Sequence, residues 1–289
     1  MARYRLLQRL GRGGLTEVFE AELVGEPRKI AIKRMLEPAA ADPVAARRFL
    51  DEAALASRLH HANVVSVIDL GLLDDRPFQA VEYVDGIDAQ RLLARAGRKL
   101  PIQVALAIAT AVARALDHAH AACDQCGLPL GIVHRDVRPS SVLVSWSGDV
   151  KLGDFGIAGA RGAGFLAPEQ HELHALDGRT DVFLLGLTLH ALVTGHSPLR
   201  EPLSIEPALP EDVRAILGAA LAIDRLARPT AGELAAALAP LLVADRRTTL
   251  RDFLAPFAPT TTHGTSLGID VVETADSHAG LHRYETRRT

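Results

Sequence analysis

The chain has 289 residues, enough for one large core or two smaller ones, with 48% apolar and 23% charged residues, the balance of a globular domain. A formal charge of -3 offers no basic field for nucleic acid. Residues 1–10 are strand-like with charges interspersed, unlike a secretory leader. The longest apolar stretches, near 102–116 and 182–193, carry Arg114 or His190 and fall short of a membrane span.

In chain order, Tyr4 to Leu10 alternates weakly and runs into Gly11-Arg12-Gly13-Gly14-Leu15-Thr16-Glu17-Val18. Two strands joined by such a turn can lay backbone N–H groups over phosphates. Lys29 to Lys33 is a further strand. Asp42 or Pro43 opens a helix in which positions 49, 52–53, 55–56 and 59 form a stripe, with Glu52 interrupting its edge. Asn63–Ile68 and Phe78–Val84 complete a small antiparallel sheet, and Glu82 to Gly86 marks a boundary.

Beyond it the pattern is mostly helical. Pro101 to Ala122 is a long amphipathic segment of good helix formers. Cys123-Asp124-Gln125-Cys126-Gly127 holds both cysteines of the chain, too few for four zinc thiolates. It reads as a turn in a reducing compartment, with a redox pair or half a metal site as the alternative. Val142–Val144 and Val150–Leu152 form a hairpin about Ser147-Gly148-Asp149. Thr180 to Gly186 opens a very apolar helix with Asp181 as its cap, and Thr230-Ala231-Gly232-Glu233 is a capping box. Residues 244–289 are polar and are expected to be a mostly flexible tail, with at most a short ordered piece around Leu267 to Val272. Thr260, Thr261 and Thr262 are candidate phosphate acceptors there.

Two acids stand at the ends of short apolar runs. Gly131-Ile132-Val133 leads to His134-Arg135-Asp136-Val137-Arg138-Pro139-Ser140-Ser141, and Val150-Lys151-Leu152 leads to Asp154-Phe155-Gly156. That spacing suggests carboxylates facing one cleft. With Lys33, Glu52, Ala167-Pro168-Glu169, Asp181 and Arg228 in order, the chain resembles the eukaryotic-type protein kinase family in its bacterial form, over roughly residues 4–243.

The resemblance implies an α+β, two-lobed kinase fold. Its N-lobe, residues 1–84, would be a small antiparallel sheet with one main helix, and its C-lobe, residues 85–243, larger and mostly helical. It implies ATP with Mg²⁺ or Mn²⁺. Leu10, Gly11, Gly13, Val18, Ala31 and Leu143 would surround the nucleotide. Glu82 and Val84 would meet adenine, and Asp88 would meet ribose or cap the next helix. Lys33, held by Glu52, would take the first two phosphates. Asp154 would bind the metal with Ser141, Asp136 would receive the substrate proton, and Arg138 would stand near the transferred phosphate. Asp181 would tie down the catalytic loop, and Arg228 would pair with Glu169. His134 is expected to be a packed histidine rather than a base.

The sequence departs from the family at four places: Thr16 at the third glycine, Arg138 for Lys, Ser141 for the metal-binding Asn, and a short activation segment. Only fifteen steps separate Asp154 from Glu169, with no Ser, Thr or Tyr between Phe155 and Pro168, so no phosphorylation can switch that segment. Three functions stay open: γ-phosphoryl transfer from ATP to Ser or Thr of a protein substrate, a pseudokinase acting as a nucleotide-responsive binding module, and a kinase for a small hydroxyl substrate. All imply a cytoplasmic protein without nucleic-acid partner or membrane insertion.

Overall fold

The computed structural model describes residues 2–26, 28–155, 165–171, 176–196, 205–259, 269–273 and 282–288. In order the elements are β1 (Ala2–Gly13), β2 (Thr16–Leu23), β3 (Lys29–Met35), α1 (Glu37–Ala40), α2 (Pro43–Ala56), β4 (Val67–Leu73), β5 (Arg76–Glu82), β6 (Gly86–Asp88), α3 (Ala89–Arg95) and α4 (Ile102–His120). They continue with β7 (Val142–Ser145), β8 (Val150–Leu152), α5 (Pro168–His171), α6 (Gly178–Thr194), α7 (Glu211–Ala220), α8 (Ala231–Leu238), α9 (Arg246–Leu254), β9 (Ile269–Glu273) and β10 (His282–Arg288). One unit comprises Met1–His60, Val65–Tyr83 and Pro259–Thr289; the other comprises His61–Val64 and Val84–Ala258.

The first unit is a closed barrel in the order β1-β2-β3-β5-β4-β10-β9. Alternation turns Tyr4, Leu6, Phe19, Ala21, Ile30, Ile32, Phe78 and Ala80 inward. The tail supplies the last two staves. β9 runs antiparallel to β1 with Tyr4 opposite Val271, and β10 runs parallel to β4 with His282 opposite Gly71. A Cβ at position 71 would strike the His282 carbonyl, so glycine permits the approach.

β9 lies where the sequence allowed a short ordered piece, around Leu267 to Val272, whereas α9 and β10 fall in the stretch read as flexible tail. Val271 and Tyr284 are buried in the barrel core, and closure removes two sheet edges that would otherwise stay open. Thr286 N donates to Asp74 Oδ1 at 2.7 Å, fixing the end of β10. The threonines at 260–262 lie outside the described residues. Helix α2 starts as expected at Asp42, which accepts from Val44 N at 2.9 Å, and it buries Phe49, Leu50, Ala53 and Ala56. Leu55, assigned to the buried stripe, instead faces out.

The second unit is built on α4, which packs against α6, α8, α9 and β8. By length and composition α4 could cross a membrane, contrary to the sequence expectation, yet most of it is buried among these neighbours. α6 is buried almost throughout. Its cap is Asp177, which accepts from Arg179 N at 2.9 Å, not Asp181. Asp181 sits inside the first turn and faces elsewhere. The capping box at Thr230 and Glu233 forms as expected. The tail contributes here too: α9 begins at Asp245, which accepts from Thr248 N at 2.9 Å.

Candidate active site

In the first unit, the Gly-rich turn joins β1 to β2, with Gly11 opposite Val18 and Gly13 opposite Thr16. Leu10 and Val18 are half-buried, and Ala31 is buried. Lys33 stands on β3 between Val18 of β2 and Gln79 of β5, half-buried, and Glu52 lies half-buried on α2. Glu82 ends β5; its N–H donates to Ser66 O at 2.9 Å, and its carboxylate accepts from Ser66 N at 3.4 Å.

In the second unit, Val84 is half-buried and Leu143 lies on β7 opposite Asp88. Asp88 caps α3, accepting from Arg91 N at 2.8 Å, so the capping role left open by the sequence is filled.

The segment bearing Asp136 hangs on one buried carboxylate. Asp181 is fully buried and accepts from His134 N and Arg135 N, both at 2.7 Å, with His120 Nε2 at 2.8 Å. His134, also fully buried, places Nε2 2.7 Å from Gly153 O, while its Nδ1 accepts from Asp136 N at 3.3 Å. Both ring nitrogens are engaged within the fold, so this is a packed, hydrogen-bonded histidine. Gly153 N donates to Ser141 O at 2.9 Å, and the Phe155 ring lies 4.6 Å from that of His134. Two loops eighteen residues apart are thereby bolted together, one carrying Asp136 and the other Asp154.

Arg135 and Asp154 have positive φ, 67° and 63°. For residues with a Cβ this conformation costs about 1–3 kcal/mol and persists only where the surroundings enforce it. Arg138 Nη1 lies 3.7 Å from Asp136 Oδ1, and its Nε donates to Ser140 Oγ at 2.9 Å. A serine thus aims the Arg138 charge beside Asp136.

Ser141, expected beside the metal, engages its hydroxyl in a local turn. Its hydroxyl donates to Arg138 O at 2.8 Å, accepts from Arg138 N at 3.1 Å, and is buried. The hydroxyl closes a 3-10 turn and has little left for a cation. Among the described residues no group of three or more His, Cys, Asp or Glu side chains could hold a metal ion. Asp154 is solvent-exposed and offers a hard oxygen. That set suits a hard ion that keeps several waters and takes its other oxygens from phosphates. Cys123 and Cys126 are exposed free thiols on a hairpin turn.

Sequence reasoning missed two supports. Gln170 of α5 donates to Arg135 O at 3.0 Å and accepts from Ala167 N at 2.8 Å, joining Ala-Pro-Glu to the catalytic loop. Asn63 donates to Val150 O at 2.8 Å and accepts from Leu152 N at 2.8 Å, fixing β8. Neither carries a sequence signal beyond being a polar residue in an apolar setting. The expected Glu169–Arg228 pair does form, bidentate at 2.7 and 3.0 Å, with the guanidinium 4.6 Å from the Phe183 ring. Residues 156–164, which include Gly156 and Arg161, lie outside the described residues.

A sheet-based unit with the Gly-rich turn and Lys33, and a helical unit with the bolted Asp136 and Asp154 loops, define the protein kinase class. The chain belongs to that family: residues 4–236 match the protein kinase domain. It is 35% identical over 276 residues to the tyrosine-protein kinase MasK of Myxococcus xanthus, covering 83% of this chain and 43% of that protein. It is 34% identical over 220 residues to the serine/threonine-protein kinase PrkC of Bacillus subtilis, covering 72% and 33%. The chain thus spans less than half the length of these relatives. Among solved structures, the PknI kinase domain of Mycobacterium tuberculosis is similar at a TM-score of 0.70 and 35% identity, covering 82% of this chain and 95% of that one.

Proposed function

We propose that this kinase domain transfers the γ-phosphoryl group of ATP to a Ser or Thr hydroxyl of a protein substrate, in the cytoplasm. The observation that carries this reading is the Asp181–His134–Gly153 chain of hydrogen bonds, which orders the Asp136 and Asp154 loops together at the cost of two positive-φ residues. A binding module that never turned over would have little use for such strain. Relatives named as serine/threonine-protein kinases support the same reading.

In the step proposed, the substrate oxygen bonds to the γ-phosphorus as the bond to the β–γ bridging oxygen breaks, and the hydroxyl proton passes to the Asp136 carboxylate. Arg138, beside Asp136, places positive charge where charge builds on the moving phosphoryl. The family assigns Lys33, held by Glu52, to the first two phosphates. It assigns Leu10, Gly11, Gly13, Val18, Ala31, Glu82, Val84 and Leu143 to the nucleotide. Asp154 would hold Mg²⁺ or Mn²⁺, which when bound neutralises phosphate charge. Ser141 serves the turn rather than the ion, and Asp88 serves α3.

The test is phosphate transfer from labelled ATP and Mg²⁺ to the chain itself and to a generic protein acceptor, with Asp136→Asn alongside. Label on Ser or Thr that vanishes in the variant is the expected result. Label on Tyr would change the acceptor class, as the MasK similarity makes worth checking. Equal background in both proteins, each shown to be folded, would overturn the reading.

A further inference from the structure

Away from the catalytic residues, five basic side chains converge in the second unit. Arg114 and His118 lie one turn apart on α4, so they share a face. The His118 ring stacks on His61 at 5.0 Å and 21°. His61 belongs to the segment that Asn63 fastens to β8, the strand of Lys151. Arg246 opens α9, which packs on α4, and its neighbour Arg247 clips to the β7–β8 turn through Asp149 at 3.1 Å and Ser147 O at 3.2 Å.

These charges act on one another. Burial first, then His118, Arg114, Arg246 and Lys151, hold the His61 imidazole below its ordinary pKa. The His61 Nδ1 accepts from Asn63 N at 3.1 Å, which leaves the proton of the neutral ring on Nε2, free to donate. Arg246 Nη1 is buried and has no hydrogen-bond partner among the described residues. Among the described residues, the two acids that act on Arg246 are engaged: Asp149 with Arg247 and Ser147, and Asp245 with Thr248 as the cap of α9. A buried guanidinium nitrogen without an acceptor, beside further cations, is costly unless an anion completes it.

We propose that Arg246, Arg114, Lys151 and His61 form a binding site for a small oxyanion of the phosphate class, inorganic phosphate or a small phosphoester. The site is built from side chains, because the N-terminus of α9 is already taken by Asp245. It abuts β8, where Lys151 stands three residues before Asp154.

The experiment uses the full chain and two probes, inorganic phosphate and glycerol phosphate, against chloride at equal ionic strength. Unfolding midpoint and the His61 imidazole titration by NMR are both read. Either probe should raise the midpoint and the His61 pKa, and whichever binds tighter identifies the source. Arg246→Leu and Arg114→Gln should each weaken binding about tenfold or more, the loss expected for a charged hydrogen bond. If Arg246→Leu does not fold, Arg114→Gln at its exposed position decides. Equal responses in the wild type and these variants, a response abolished only by Lys33→Met, or no response to either probe would overturn the proposal.

Discussion

Tyr284 donates its hydroxyl to Asp69 Oδ2 at 2.7 Å, 215 residues away in the chain. Tyr4 donates to the same oxygen at 2.6 Å, and Arg3 lies against both, 2.9 Å from the Tyr284 hydroxyl and 3.7 Å from Asp69. Burial and the Asp69 carboxylate push the Tyr4 phenol far above its usual pKa, so it stays a donor at every physiological pH. The two ends of the sequence are thus joined inside one barrel.

Tyr284→Ala should therefore destabilise the chain by about 3–5 kcal/mol, the range for removing a buried aromatic ring. Tyr284→Phe should cost only about 1–2 kcal/mol, since Asp69 keeps Tyr4 and Arg3. Chemical denaturation of both variants measures this. A neutral Tyr284→Ala would mean that β10 contributes nothing to the barrel.

Arg228→Ala should cost about 3–5 kcal/mol, because it strands the Glu169 carboxylate with its guanidinium partner gone. Burial alone would raise the Glu169 pKa, but the hydrogen bonds from Arg228 and its own backbone N–H outweigh it and hold the pKa below 4.5. The stabilisation is complete above 4.5 and is lost as pH falls through the lowered value. A wild-type stability curve should thus show an acid limb that is shallower in Arg228→Ala.

Ser141→Ala should lower stability by about 1 kcal/mol through loss of the turn, and leave the Mg²⁺ dependence of ATP turnover unchanged. Titrating Mg²⁺ at fixed ATP checks this. A tenfold rise in the Mg²⁺ needed would return Ser141 to the metal.

His61 gives a pH signature of its own. Its folded pKa is depressed, so its contribution is full above 6.5 and is lost as pH falls toward the lower folded value. NMR titration should place its midpoint below that of an exposed histidine in the same chain, and a midpoint at or above 6.5 would contradict the crowding of positive charge around it.

The kinase family, the Glu169–Arg228 pair, the capping box at Thr230 and the α4 helix were legible in the sequence. Each is written in a local pattern: a motif of fixed spacing, a capping box, or an apolar period. The role of Ser141 was not, because residue type alone cannot say whether a hydroxyl faces an ion or its own turn. Nor was the cap of α6, where Asp177 and Asp181 are equally good candidates until the backbone bends. The tail was furthest from reach. β9 and β10 are short strands that join the barrel through β1 and β4, more than 200 residues away, and the register that buries Val271 and Tyr284 exists only once those strands are in place. The basic cluster was settled the same way. His61, Arg114, Lys151 and Arg246 are unremarkable charges along the chain, and only the packing of α4 on β8 and α9 sets them side by side. Local spacing determined which chemistry the chain can carry; long-range burial decided which polar groups were left to perform it.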